Sequence, residues 1–292
     1  MRTVFCDWGT TNVRAFLCDH ETVIKRYASA TTLHDANRIG FEQVMKGILQ
    51  RLEVPSTTPI RLSGMVSSKN GWLEVPYVDT PATAASIANG ACQVKSFPDL
   101  RIYGGVSHAL ADGRHDVMRG EETQIFGLLQ LHPDAQTICL PGTHSKWVTV
   151  NDQAIESFST WMTGDFFHCL SEQTILKAQI GSTDFDEASF LSGVASAESE
   201  DSLLNEVFYL RTDYLFGRLG SDQTHSYLSG LLIGHELSGA ALDVDQVYLC
   251  GAEPLVQLYS LALNGKGVRA VQVSAEEASH NGLRAFELGG RR

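Results

Sequence analysis

The chain has 292 residues, 43% hydrophobic and 19% charged. That ordinary globular composition allows one large core or two medium ones and excludes wholesale disorder. Lys and Arg number 22 against 34 Asp and Glu, a net charge of −12 with no basic run, so neither nucleic acid nor an anionic membrane surface is an expected partner. No apolar run reaches the roughly 18–20 residues of a membrane span, and MRTVFCDWGTTN meets Asp7 too early for a signal peptide. The six cysteines form no CxxC pair and read as buried, reduced thiols of a cytoplasmic protein.

The predicted elements begin with three short strands over 3–27, the second alternating Val13, Ala15 and Leu17 on one side. A helical stripe at 41, 44, 45, 48, 49 and 52 predicts a helix over 39–52. A strand follows at 60–64, then loops over 65–100, then a strand at 101–106. The helix at 121–131 precedes three more strands, 137–140, 145–150 and 154–160. The stretch 165–240 has helical period with glycine breaks at 181, 193, 217, 220 and 230. Strands at 246–250 and 268–273 enclose a helix with Pro254 in its first turn, and a helix over 275–288 closes the chain. Strands and helices alternate in both halves, which defines an α/β protein with a mixed sheet.

An internal repeat orders this list. A shift of 133 residues lays Cys6 over Cys139, Gly9 over Gly142, Thr10 over Thr143 and Asp19 over Asp152. The period is far too long for a solenoid. It predicts two related domains, each presenting one Gly-Thr hairpin.

A turn containing Gly brings backbone N–H groups close to an anion, and Thr hydroxyls add donors. Two such turns suit a polyphosphate gripped from both sides. Asp7 ends an apolar strand, where a carboxylate is costly without a cation or donors; it could hold Mg²⁺ through that ion's waters. Arg14 could neutralise phosphate charge. Arg119-Gly120-Glu121-Glu122 opens a helix, where acids serve capping or, equally, general-base catalysis on an attacking hydroxyl. Lys146 reads as a phosphate ligand or a solvated strand residue, His144 as a phosphate donor or a surface histidine. Gly251-Ala252, between a strand and a helix, leaves room for a flat ring or is a plain turn. Ser63 to Trp72 forms a polar loop able to donate to a polyhydroxy acid. GxxxxGK[ST], GxGxxG, HExxH and GxSxG are all missing, so P-loop, Rossmann, zinc-hydrolase and serine-hydrolase readings lose support.

The segment Asp7 to Arg14 resembles the first phosphate motif of the sugar-kinase, Hsp70 and actin superfamily. Gly142-Thr143 resembles its second phosphate motif and Gly251-Ala252 its adenosine motif. More closely, DWGTTNVRAF, SGMVSSKNGW, VMRGEETQIFG, LPGTHSKW, MTGDFF and SYLSGLLIGHEL resemble, in order, segments of the 2-dehydro-3-deoxygalactonokinase family. The resemblance implies two ribonuclease-H-like domains, with mixed sheets flanked by helices, in an actin/hexokinase-type fold with an interdomain cleft. The expected domains are 1–115 and 116–292, with the last helix free to return to the first.

By the same resemblance, ATP phosphorylates 2-dehydro-3-deoxy-D-galactonate at its 6-hydroxyl in galactonate catabolism. Asp7 organises Mg²⁺. Gly9, Thr10, Thr11, Asn12 and Arg14 line the first phosphate loop, and Gly142, Thr143 and His144 the second. Gly251 and Ala252 face the adenosine. Larger sugar kinases carry Gly-Asp-Gln where this chain has Gly120-Glu121-Glu122, which makes Glu121 the expected base with Glu122 as the alternative. A carboxylate substrate wants cationic and hydroxyl donors, which nominates Ser67, Ser68, Lys69 and Arg119. The expected partner is a small sugar acid, with a homodimer possible. Alternatives are a kinase for another sugar acid or an amino sugar, and an ATP-switched scaffold or chaperone-like protein.

Overall fold

The computed structural model describes residues 2–199 and 201–290. The chain divides into two compact units. The first comprises Met1–Gln136, Val148–Phe158 and Val273–Arg292; the second comprises Thr137–Trp147 and Ser159–Gln272.

The first unit opens with strands β1 (Arg2–Trp8), β2 (Val13–Asp19) and β3 (Thr22–Ser29), paired antiparallel. Helices α1 (Leu33–Ile39) and α2 (Phe41–Leu52) follow. The helix expected over 39–52 therefore starts at Phe41, because Gly40, with φ 101°, breaks the chain between two helices. Met45, Ile48, Leu49 and Leu52 form its buried face. Strand β4 (Ile60–Gly64) then pairs parallel with β1.

The loop region beyond contains β5 (Val78–Asp79), α3 (Ala84–Asn89), β6 (Cys92–Gln93), β7 (Leu100–Ile102), β8 (Val106–Ala109) and β9 (His115–Met118). The main sheet has the order β3-β2-β1-β4-β7-β6, and β5, β8 and β9 form a small sheet of their own. The single strand expected at 101–106 is thus two strands in two sheets. A Cβ on Gly104 would lie 2.3 Å from the Pro76 carbonyl oxygen, and one on Gly105 2.1 Å from that of Met118. Only glycine lets the chain cross there. Helix α4 (Glu121–Leu131) follows.

The second sheet is built from β10 (Thr137–Leu140), β11 (Ser145–Asn151), β12 (Ala154–Trp161), β13 (Gln246–Gly251) and β14 (Arg269–Ser274). Its order, β12-β11-β10-β13-β14, reproduces β3-β2-β1-β4-β7, and β10 pairs parallel with β13 as β1 does with β4. The duplication extends to the hairpin tips: His20 (φ 54°) and Gln153 (φ 61°), equivalent under the 133-residue shift, are both left-handed. Between β12 and β13 lie α5 (Thr163–Gln173), α6 (Glu187–Ser196), α7 (Leu203–Leu215) and α8 (Thr224–Gly239); α9 (Glu253–Gly265) follows β13, and α10 (Ala275–Gly289) ends the chain.

Two glycines that read as helix breaks lie inside helices. A Cβ on Gly193 of α6 would fall 2.2 Å from the Tyr227 carbonyl oxygen, and one on Gly230 of α8 1.9 Å from that of Phe190. They let the backbones of α6 and α8 touch, which outweighs glycine's poor helix propensity of about 1 kcal/mol. The same device joins α4 to α10: a Cβ on Gly127 would lie 1.7 Å from the Ala278 oxygen, and one on Gly282 1.7 Å from that of Thr123. That crossing is why residues 116–136 and the last helix both group with the first unit.

Candidate functional site

In the first unit, β1 and β4 end side by side. Asp7 lies opposite Arg14 on β2 and opposite Ser63 on β4, so the three side chains share one face of the sheet. Arg14 Nη2 donates to Asp7 Oδ2 at 2.7 Å, and Ser279 Oγ, from α10, donates to the same oxygen at 3.2 Å. Ser63 Oγ, Trp8 Nε1 and Arg14 Nε are buried with no partner among the described residues. The turn after β1 closes through Gly9 N donating to Asn12 O (2.9 Å), and Thr10 O accepts from Leu33 N (2.8 Å). Thr10, Thr11 and Asn12 are thereby held exposed on a defined backbone. Ser279 carried no sequence signal: a buried serine on an amphipathic helix looks like any small core residue.

The loop after β4 is held by Arg119. Its Nη1 donates to Ser67 O (2.7 Å) and Ser67 Oγ (2.6 Å), its Nη2 to Val75 O (3.2 Å), and its guanidinium carbon sits 4.2 Å from the centre of the Tyr77 ring. Ser67, fully buried, donates in turn to Gly64 O at 2.9 Å. Ser67 and Arg119 are thus engaged with the loop itself. Ser68 Oγ is buried without a partner among the described residues, and Lys69 is exposed.

Gly120 (φ 113°) turns the chain into α4, and a Cβ on it would lie 3.4 Å from Gly64 Cα. The helix therefore begins against the end of β4. Its first two residues divide sharply. Glu122 is fully buried; its Oε2 accepts from Gly120 N at 2.6 Å. Burial, reinforced by the neighbouring Glu121 charge, pushes its carboxyl up to about 8. Glu121 is half-buried, with Oε2 accepting from Arg119 N at 3.0 Å.

In the second unit, Thr143 and His144 are exposed at the β10–β11 turn. The turn rests on the start of α5. Thr143 O accepts from Asp165 N at 3.0 Å, and a Cβ on Gly164 would lie 2.6 Å from Gly142 O. His144 Nε2 stands 3.5 Å from Asp165 Oδ2. Lys146 is buried and donates to Thr160 Oγ1 at 2.6 Å, so it is not a solvated strand residue. Gly251 ends β13, and the exposed Ala252 caps α9. Beside that helix lies a cavity of about 570 Å³ whose walls include Phe185, His225, Pro254 and Leu258.

A magnesium ion asks for oxygen ligands, phosphate and retained water rather than a protein cage. The donor set agrees with this. Both partners of Asp7 engage Oδ2, leaving Oδ1 without a protein partner among the described residues. No group of three or more His, Cys, Asp and Glu able to cage a metal occurs among them either. All six cysteines are free; Cys6, Cys18, Cys139 and Cys250 are buried, whereas Cys169 is exposed. No helix among the described residues is long and apolar enough to cross a membrane.

A duplicated strand order with a Gly-Thr turn in each half defines the class: a protein of the actin/hexokinase-type fold. Component A of the (R)-2-hydroxyglutaryl-CoA dehydratase of Acidaminococcus fermentans shares that fold over 99% of each chain, at a TM-score of 0.52 and 11% identity.

The family model for 2-keto-3-deoxy-galactonokinase matches residues 7–286, and the chain belongs to that family. It is 36% identical over 290 residues to a Rhizobium meliloti (strain 1021) protein named as a probable 2-dehydro-3-deoxygalactonokinase, covering 96% of this chain and 94% of that one. To the 2-dehydro-3-deoxygalactonokinase of Escherichia coli (strain K12) it is 31% identical over 291 residues, covering 98% and 97%. A crystal structure from Sinorhizobium meliloti carrying the same kinase designation superposes with a TM-score of 0.92 at 35% identity, over 97% of each chain. The chain is therefore an enzyme, a kinase of the sugar-acid type that binds a small-molecule substrate.

Proposed function

We propose that this enzyme transfers the terminal phosphoryl group of ATP to the 6-hydroxyl of 2-dehydro-3-deoxy-D-galactonate in the cytoplasm. The observation that carries this reading is the grouping in one unit of Asp7 and the Ser63 hydroxyl at the ends of β1 and β4, Glu121 at the start of α4, which begins against Gly64, and the Ser67–Lys69 loop that follows β4; Ser63 Oγ and Ser68 Oγ have no partner among the described residues. Glu121 is the half-buried carboxylate at the start of α4, and its hold on Arg119 N aims it. It accepts the proton of the attacking hydroxyl, while Glu122 caps the helix from inside. Ser68 and Lys69 bind the polyhydroxy acid, and Arg119 shapes their loop through Ser67.

The turn of Gly9, Thr10, Thr11 and Asn12 supplies phosphate donors from the first unit; Gly142, Thr143 and His144 supply them from the second. Arg14 pairs with Asp7 and adds positive charge. A hydrated Mg²⁺ held through Asp7 would neutralise charge on the phosphates. Gly251 and Ala252, with the cavity beside α9, take the adenosine.

The test is an ADP-release assay over a panel of 2-keto-3-deoxy sugar acids, amino sugars and simple hexoses, with position of phosphorylation read by NMR. The reading expects the galacto acid to give the highest kcat/KM and the phosphate on oxygen 6. Preference for an amino sugar or a neutral hexose would overturn it.

A further inference from the structure

A second buried carboxylate, Glu236 of α8, is only 1% exposed and belongs to none of the groups above. It is not left unpaired. Trp147 Nε1 donates to its Oε1 at 2.7 Å, and the Tyr259 hydroxyl donates to its Oε2 at 2.7 Å. The Tyr259 hydroxyl is itself backed by Ser145 Oγ, 2.8 Å away. One donor on each carboxylate oxygen offsets part of the cost of burial, which by itself raises its pKa.

What matters is where the donors come from. Ser145 and Trp147 lie on β11 immediately after the Gly142–His144 turn. That turn rests on the start of α5 through Gly164 and Asp165. Tyr259 lies on α9, which begins at the Gly251-Ala252 turn. An apolar residue could fill this space, but it could not fix β11 and α9 to one point with directional bonds.

We propose that Glu236 is a positioning residue for nucleotide binding: it ties the strand that follows the second phosphate turn to the helix after the adenosine turn. This deepens, and rests on, the assignment of Gly142–His144 and Gly251-Ala252 to ATP.

The test compares E236Q and Y259F with L228A, a control that removes a fully buried leucine from the same unit. ATP and sugar-acid KM, kcat and Tm are measured for each. E236Q should raise the ATP KM about tenfold, corresponding to loss of one charge-assisted bond, while the sugar-acid KM stays within about twofold. Y259F should shift the ATP KM the same way by less, and it carries the test if E236Q fails to fold. L228A should lower Tm without this split. Equal rises in both KM values, or a lowered Tm with an unchanged ATP KM, would overturn the role of Glu236 and leave the kinase reading standing. A wild-type protein that shows no saturable ATP binding would overturn both.

Discussion

Gly64 and Gly251 hold the same place in the two units. Leu62 pairs with Cys6 and Leu249 with Cys139, the two cysteines the repeat superimposes. Each glycine then presses on the equivalent carbonyl: a Cβ on Gly64 would lie 2.6 Å from Trp8 O, and one on Gly251 2.8 Å from Pro141 O. In both units the chain leaves the second parallel strand directly against the residue preceding the Gly-Thr turn. In one unit that exit leads to the Ser67–Lys69 loop, in the other to α9.

Alanine at either position should therefore destabilise by about 1–3 kcal/mol through overpacking, with Gly64 the worse because its φ of 95° also strains a side chain. The catalytic effects should separate. G251A is expected to raise the ATP KM and G64A the sugar-acid KM. Chemical denaturation with steady-state kinetics measures both, and identical kinetic profiles would contradict the assignment of the two exits.

Glu121 and Glu122 should respond differently to loss of charge. E121Q is expected to keep the fold and both KM values while kcat falls about a hundredfold to ten-thousandfold, the usual worth of a general base. E122Q keeps an oxygen for Gly120 N and should retain most turnover. Near-normal kcat in a folded E121Q would remove that residue from the role.

The Glu122 carboxyl also sets a pH dependence of stability. Its folded value, about 8, lies above the ordinary carboxyl value of 4.5. Between these two pH values the unfolded chain has lost the proton and the folded protein retains it. Stability from this group is complete below about pH 4.5 and declines as pH rises towards 8, by about 1.4 kcal/mol per pH unit. Urea titrations from pH 5 to 8 should show this slope in the wild type and a shallower one in E122Q.

Asp7 is held by Arg14 and Ser279 on one oxygen. D7N should fold, lose most turnover, and require more Mg²⁺ for half-maximal rate. S279A removes only one donor and should cost less than about tenfold in kcat. An unchanged Mg²⁺ requirement in an active D7N would argue against a metal role for this carboxylate.

Arg119 grips its loop with both terminal nitrogens and stacks on Tyr77. Lysine keeps the charge but cannot make the fork. R119K should raise the sugar-acid KM about tenfold or more and leave the ATP KM near normal. Were the arginine needed only for its charge, lysine would substitute freely.

Much of this protein was readable in one dimension because its turns rely on short-range chemistry. Gly9-Thr10 and Gly142-Thr143 announce hairpins through glycine's conformational freedom, and their repetition at a fixed shift pointed to duplicated sheets before any fold was drawn. The strand ends carrying Asp7 and Gly251, and the helix opened by Glu121, were legible for the same reason. Other features depend on partners far along the chain. Nothing local marks Gly193 and Gly230 as helix-crossing points rather than breaks, since the carbonyls they approach belong to other helices. Nor does local pattern show that Ser67 and Arg119 hold each other, that Ser279 reaches back 272 residues to Asp7, or that Glu122 is buried while Glu121 is not. Burial and hydrogen-bond pairing of polar groups arise only when separate segments pack together. The residue types marked the turns and the strand ends; packing decided which polar groups are buried and which hold the others in place.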